Sequence, residues 1–130
     1  MCTRVLLAAL LLGLVACAAP PGSQAPASQG LPSDAPQAIA VSVMDFMIEP
    51  VDVEAVGPTV TITVTNDGPT PHNLTVRNGA GDVLIGTEDL SVGDVATISG
   101  ELEAGDYTIF CALPGHESLG MSGTLTVTAP

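Results

Sequence analysis

From residue 59 the chain alternates in polarity. Val60, Ile62 and Val64 fall on one side of an extended segment, and Thr59, Thr61, Thr63 and Thr65 fall on the other. Leu125 and Val127 repeat the pattern against Thr124, Thr126 and Thr128. A period of two places alternate side chains on opposite faces, so both segments read as half-buried strands. Further strands are predicted at 39–46, 51–55, 73–77, 83–86, 95–102 and 106–111, separated by the turn-forming runs NDGP, NGAGD and EAGD. No segment carries a helical stripe, although 87–93 has room for a short turn. About eight short strands at this spacing predict an all-β fold, a Greek-key β-sandwich over residues 39–130. Parity also orients one chemically active residue. If Tyr107 and Ile109 face the core, Cys111 on the same face points inward at the end of the sandwich.

The N-terminal third reads differently. Arg4 precedes an apolar run from Val5 to Ala16, which is too short to span a bilayer and matches the hydrophobic region of a secretory signal. The run ends in Leu14-Val15-Ala16-Cys17. That sequence resembles the lipobox of bacterial lipoproteins, which implies cleavage before Cys17 and lipidation of its sulfur. The other reading is an ordinary signal peptide cut at Ala16 or Ala19. Residues 17–38 are rich in Pro, Ala, Ser, Gly and Gln without hydrophobic periodicity. They read as a disordered tether reaching from about 25 Å as a coil to about 60 Å as extended polyproline II. The expected division is therefore a signal peptide at 1–16, a lipidated Cys17 with its tether at 17–38, and one folded domain at 39–130. This places the domain on the outer side of a bacterial membrane, at a periplasmic or extracellular face.

Cysteine usage narrows the chemistry. With Cys2 in the signal and Cys17 assigned to lipid, Cys111 is left alone, so the exported domain has no internal disulfide. A free thiol in an oxidising compartment invites a metal role. The chain has only two histidines, and both stand in ordered surroundings: His72 in PTPHNLTV and His116 in CALPGHESLGM, where Cys111, His116 and Met121 are spaced C-x4-H-x4-M. Two imidazoles, a thiolate and a thioether are the ligand set of a blue-copper centre, in which imidazole suits both oxidation states and sulfur favours Cu(I). Three of these residues come from one loop stiffened by Pro114, and His72 follows a different strand.

The run from DFMIEPVDVEAVG through VTNDGPTPHNLTV to GDYTIFCALPGHESLGMSGTLTV resembles the cupredoxin family of blue copper proteins, in particular its plastocyanin-like and halocyanin-like members. The resemblance implies one type 1 copper held by His72, Cys111 and His116 with Met121 as the weak axial ligand. Asn73 would steady the ligand loops and lend its backbone N–H to the thiolate. Pro71 matches the Pro-His-Asn pattern and places a carbonyl beside the metal. Cys-x4-His is longer than the plastocyanin spacing, while His-x4-Met matches it. The family also implies an electron carrier rather than an enzyme, docking its partner through Leu113, Pro114 and Leu119 around the edge of His116.

Copper storage or delivery by the same ligands is the alternative function. Multicopper enzyme chemistry needs more histidines than this chain has. Met44 and Met47, three apart in a strand-like stretch, are expected on opposite faces and read as packing residues rather than a Cu(I)-binding pair. Tyr107 is expected to pack and to make a strand-corner hydrogen bond. All fourteen acidic residues follow the signal, against Arg77 alone, which disfavours nucleic acid and anionic lipid surfaces as partners. The acidic surface either steers a basic redox partner such as a cytochrome or oxidase or serves solubility. The domain is expected to be a monomer.

Overall fold

The computed structural model describes residues 38–130. The signal peptide, Cys17 and nearly all of the tether lie outside the described residues. Nine strands form two sheets: β1 (Ala38–Met44), β2 (Met47–Glu49), β3 (Asp52–Val56), β4 (Thr59–Asn66), β5 (Thr75–Arg77), β6 (Val83–Gly86), β7 (Val95–Glu101), β8 (Gly105–Phe110) and β9 (Ser122–Thr128). One sheet has the order β2-β1-β4-β7 and the other β3-β9-β8-β5-β6. This is the expected Greek-key β-sandwich. Among the described residues the helical content is one 3-10 turn, Glu117–Leu119.

The alternation reads directly into the core. Val60, Ile62, Val64, Leu125 and Val127 are buried between the sheets with Val41, Val43, Leu74, Val76 and Ile109. The threonines opposite them on β4 form an outer polar face, where Thr61 pairs with Ser99 across to β7 and Thr63 pairs with Thr97. Such cross-strand pairs add to the ladder between the strands. Tyr107 packs on the core, and its hydroxyl donates to the Glu103 carbonyl at 2.8 Å. The expected strand-corner bond is therefore present.

The sandwich has nine strands rather than about eight because the predicted segment 39–46 ends at a hairpin. β1 turns through Asp45 and Phe46 into β2, with Met44 opposite Met47. Phe46 makes the turn at φ 59, a left-handed conformation usually left to Gly or Asn, so turn composition gave no signal of it. The hairpin also corrects the methionine reading. As directly opposed partners, Met44 and Met47 share a face. Phe46 is 49% exposed, and Phe110 is buried outside the intersheet core, with the Arg77 guanidinium 4.3 Å above its ring.

Removing the methylenes of fully buried Ile62 leaves a cavity between the sheets. Ile62→Ala is expected to lower stability by about 2–5 kcal/mol. Thr63→Ala, on the outer face of the same strand, should cost less than about 1.5 kcal/mol. Guanidinium unfolding curves of the two variants check the contrast, and equal losses would contradict the assignment of faces.

Candidate metal centre

Three strand ends deliver the candidate ligands to one end of the sandwich. The core-facing alternation of β4 runs Val60, Ile62, Val64 and finally Asn66, all buried. Asn66 cannot be left unsatisfied there. Its amide donates to the carbonyls of Thr70 and Leu90, both at 2.9 Å, and its Oδ1 accepts from the Gly68 N–H. These bonds shape the loop that carries His72. The backbone of His72 then forms an isolated bridge with Leu90, the two N–H groups donating reciprocally at 3.1 and 2.7 Å.

Cys111 follows the last residue of β8 and is fully buried, on the parity shared with Ile109. Its N–H donates to the Met121 carbonyl, and the Met121 N–H donates to the His116 carbonyl, both at 3.1 Å. The loop thus closes on itself through the three residues predicted to bind metal. Gly115 and Gly120 have φ of 84° and 105°, values that side chains resist, and they let the chain turn on either side of Glu117–Leu119.

The side chains converge. His72 Nδ1 lies 3.2 Å from His116 Nδ1, and Cys111 Sγ lies 3.5 Å from His116 Nδ1. One ligand atom from each of the three residues lies within 4.8 Å of the others. His72, Cys111 and Met121 have no exposed surface, while His116 is half-buried. Two imidazole nitrogens and a sulfur aimed at one point, with a buried methionine joined to them by backbone bonds, fit a copper ion held by two His and one Cys.

Asn73 holds the two ligand regions together. Its Oδ1 accepts from the Ala112 N–H at 2.7 Å, and its Nδ2 donates to Asp89 at 2.8 Å. The side chain makes this tie, whereas Cys111 Sγ has His116 Nδ1 as its partner. Pro71 precedes His72 at the surface of the same loop. Leu113 is half-buried against the core, Pro114 is exposed and Leu119 is 62% exposed, all within the loop that carries His116.

Four contributors were not foreseen. Phe46 meets the His116 ring edge-on at 5.8 Å between centroids. Asp45 Oδ1 lies 3.0 Å from His72 Nε2 and accepts from the Thr70 hydroxyl at 2.6 Å. Thr70 holds the Asp45 carboxyl below the ordinary carboxylate range; burial opposes this, and the hydrogen bond and charge of His72 add to it. Arg77 grips the Glu117 carboxylate with both terminal nitrogens, fastening the residue after His116 to β5. Apart from Thr70, two residues before His72, these partners are distant in sequence from the ligands they touch, and only chain folding brings them to the site.

Asn73→Ala removes the acceptor of the part-buried Ala112 N–H. A loss of about 0.5–1.5 kcal/mol in the metal-free protein is expected, measured by chemical denaturation. A neutral result would remove Asn73 from the site's support.

Residues 5–127 match the family model of the cupredoxin-like domain. No curated protein matches the chain. Among solved structures, the dithionite-reduced auracyanin of the photosynthetic bacterium Roseiflexus castenholzii is 21% identical, with 70% of this chain and 96% of that chain covered at a TM-score of 0.64. The azurin Az-iso2 of the methylotroph Methylomonas sp. strain J is 20% identical, covering 68% and 95% at a TM-score of 0.60. A purple cupredoxin from Nitrosopumilus maritimus is 23% identical, covering 69% and 99% at a TM-score of 0.52. At these identities the likeness to solved structures is one of fold. With the family match spanning nearly the whole sequence, the chain belongs to the cupredoxin-like family, and its His-Cys-His-Met cluster provides for one type 1 copper.

Proposed function

We propose that the protein is a one-electron carrier in which His72 Nδ1, Cys111 Sγ, His116 Nδ1 and the Met121 thioether would hold the copper. The observation that carries this reading is the convergence of three donor atoms within 4.8 Å in a buried end of the sandwich. Copper, when bound, supplies a Cu(II)/Cu(I) couple to which imidazole and sulfur ligands are both suited. The protein holds those donors in place through the His72–Leu90 bridge and the Cys111–Met121–His116 backbone bonds. It excludes water from three of the four side chains. A closed, fixed site suits electron exchange better than metal delivery, which needs ready release. His116 is the half-buried ligand, so its edge is the route by which electrons enter and leave.

The reading extends to the cell. The Leu14-Val15-Ala16-Cys17 sequence supports export and lipid anchoring, and two or more acyl chains would hold the protein stably at a membrane where one would not. The Pro- and Ala-rich tether then lets a monomeric domain reach a redox partner such as a cytochrome or an oxidase. The apolar surface around His116 includes Phe46 as well as Leu113, Pro114 and Leu119, and a contact of that modest size suits a short-lived redox encounter. A partner with a basic rim would be steered by the acidic surface. Two histidines leave none for a second copper centre, so the protein is read as a carrier and not an enzyme.

Protein loaded with Cu(II) is expected to show an intense blue thiolate-to-copper band with narrow copper hyperfine splitting, bleaching with ascorbate and returning with ferricyanide. Cys111→Ser should abolish the band. A pale wild-type protein, or one holding copper only as Cu(I), would instead favour storage or delivery. Leu113→Asp should slow electron exchange with a partner while leaving the copper spectrum unchanged. Unaltered stopped-flow kinetics in that variant would remove Leu113 from the docking surface.

A further inference from the structure

We propose that Asp45 is a positioning residue for the copper site, its carboxylate fixing the His72 ring as an Nδ1 ligand and biasing the site towards the oxidised metal. This rests on the electron-carrier reading above for its redox half, whereas the orientation of the ring stands by itself.

The hydrogen-bond network determines where the His72 proton sits. The ring has no exposed surface, and its Nε2 edge faces Asp45 Oδ1 at 3.0 Å and Thr70 Oγ1 at 3.3 Å. The Thr70 hydroxyl donates its one hydrogen to Asp45 Oδ1, so it has only lone pairs to offer the ring. Both neighbours of Nε2 are then acceptors, and Nε2 must carry the N–H. In a neutral imidazole this leaves a bare lone pair on Nδ1, the atom facing His116 Nδ1 and the Cys111 side of the cluster.

The contact is built into the fold. A Cβ at Gly68 would come within 2.9 Å of Met44 Cα, 3.0 Å of His72 Nε2 and 3.2 Å of the Asp45 nitrogen. Only glycine allows the hairpin and the histidine to approach this closely. The same hairpin carries Phe46 at φ 59, a left-handed conformation that an aromatic side chain resists, and Phe46 makes its edge-on contact with His116 from there. One turn therefore touches both histidines, through Asp45 on the buried ring and through Phe46 on the half-buried one.

The electronic consequence follows from charge. A carboxylate on the remote N–H of a ligating imidazole raises the donor strength of the other nitrogen. Added negative charge across one ring favours the more positive metal state. Asp45→Asn keeps the shape and an acceptor oxygen but removes the charge. In this variant the ratio of Cu(II) to Cu(I) affinity is expected to fall about tenfold, the lower end for loss of such a partner, which raises the one-electron potential by about 59 mV.

The test has two independent measurements. The first is the reduction potential of wild-type and Asp45→Asn protein, with the blue band recorded for both. The second is long-range 1H–15N NMR of the copper-free wild-type protein at neutral pH, which reports the His72 tautomer without any metal. A blue variant with a raised potential and a wild-type Nε2–H tautomer support the proposal. An unchanged potential in a blue variant overturns the redox role, and an Nδ1–H tautomer overturns the positioning role. If the variant does not fold, the wild-type tautomer still decides the positioning role. If the wild type never turns blue, the carrier reading fails, and the NMR result still stands for Asp45.

Discussion

The functional end of this domain depends on one demanding arrangement: two imidazole nitrogens and a thiol sulfur brought to within a few ångströms of each other where water cannot reach three of the four predicted ligands. Grouping polar donors away from solvent is costly unless each is bonded or held against a metal. The scaffold therefore fixes the backbone around them. His72 is pinned to Leu90, Cys111 to Met121, and Met121 to His116. The ligand-loop bonds run through main-chain groups, so the loop keeps its shape independently of rotamer choice. Behind it stands a core of aliphatic side chains from both sheets that needs no aromatic anchor.

The polar residues just outside the ligand cluster convert this rigidity into a specific geometry. Asn66 ends the core-facing row of β4, and its amide spans the loop leading to His72. Asn73 joins that loop to Ala112, the residue after Cys111. Each satisfies a buried donor or acceptor and, in doing so, relates two stretches of chain that no strand ladder connects. A site preorganised at this level requires little movement when its charge changes, which is the physical requirement for a carrier that exchanges electrons repeatedly.

Local periodicity made much of this legible in the sequence. The Val60–Ile62–Val64 row, the Tyr107–Ile109–Cys111 face and the inward aim of Cys111 all follow from a period of two. The spacing of Cys111, His116 and Met121 marked the ligand loop because its members are close in sequence. Positions governed by a left-handed turn or by distant partners were not legible. The Asp45–Phe46 turn contains no glycine, so one strand was read where there are two and Met44 was assigned to the wrong side of Met47. Asp45, Arg77 and Phe46 reach the site across many residues of intervening chain, and Thr70, two residues before His72, takes its role only through Asp45. Their ordinary composition gives no signal until the sheets assemble.

The charge distribution completes the account. Arg77 is the only Lys or Arg among the described residues, and it lies on the outer side of its sheet, stacked on Phe110 and bonded to Glu117. The stability gained from a partly exposed ion pair is small, under about 1 kcal/mol. Its larger effect is geometric, since Phe110 precedes Cys111 and Glu117 follows His116, so one guanidinium couples the two sides of the ligand loop. With its single cation engaged in this way, the described domain has thirteen carboxylates and no other Lys or Arg to offset them. Around His116 the residues Phe46, Leu113, Pro114 and Leu119 are apolar. On the carrier reading proposed above, a partner steered by these carboxylates would make its final contact where charge is absent, so the surface that speeds encounter would do little to prolong it. For a carrier as proposed above, which must release one partner before meeting the next, that separation of steering from adhesion would follow from the placement of Arg77, the one Lys or Arg among the described residues.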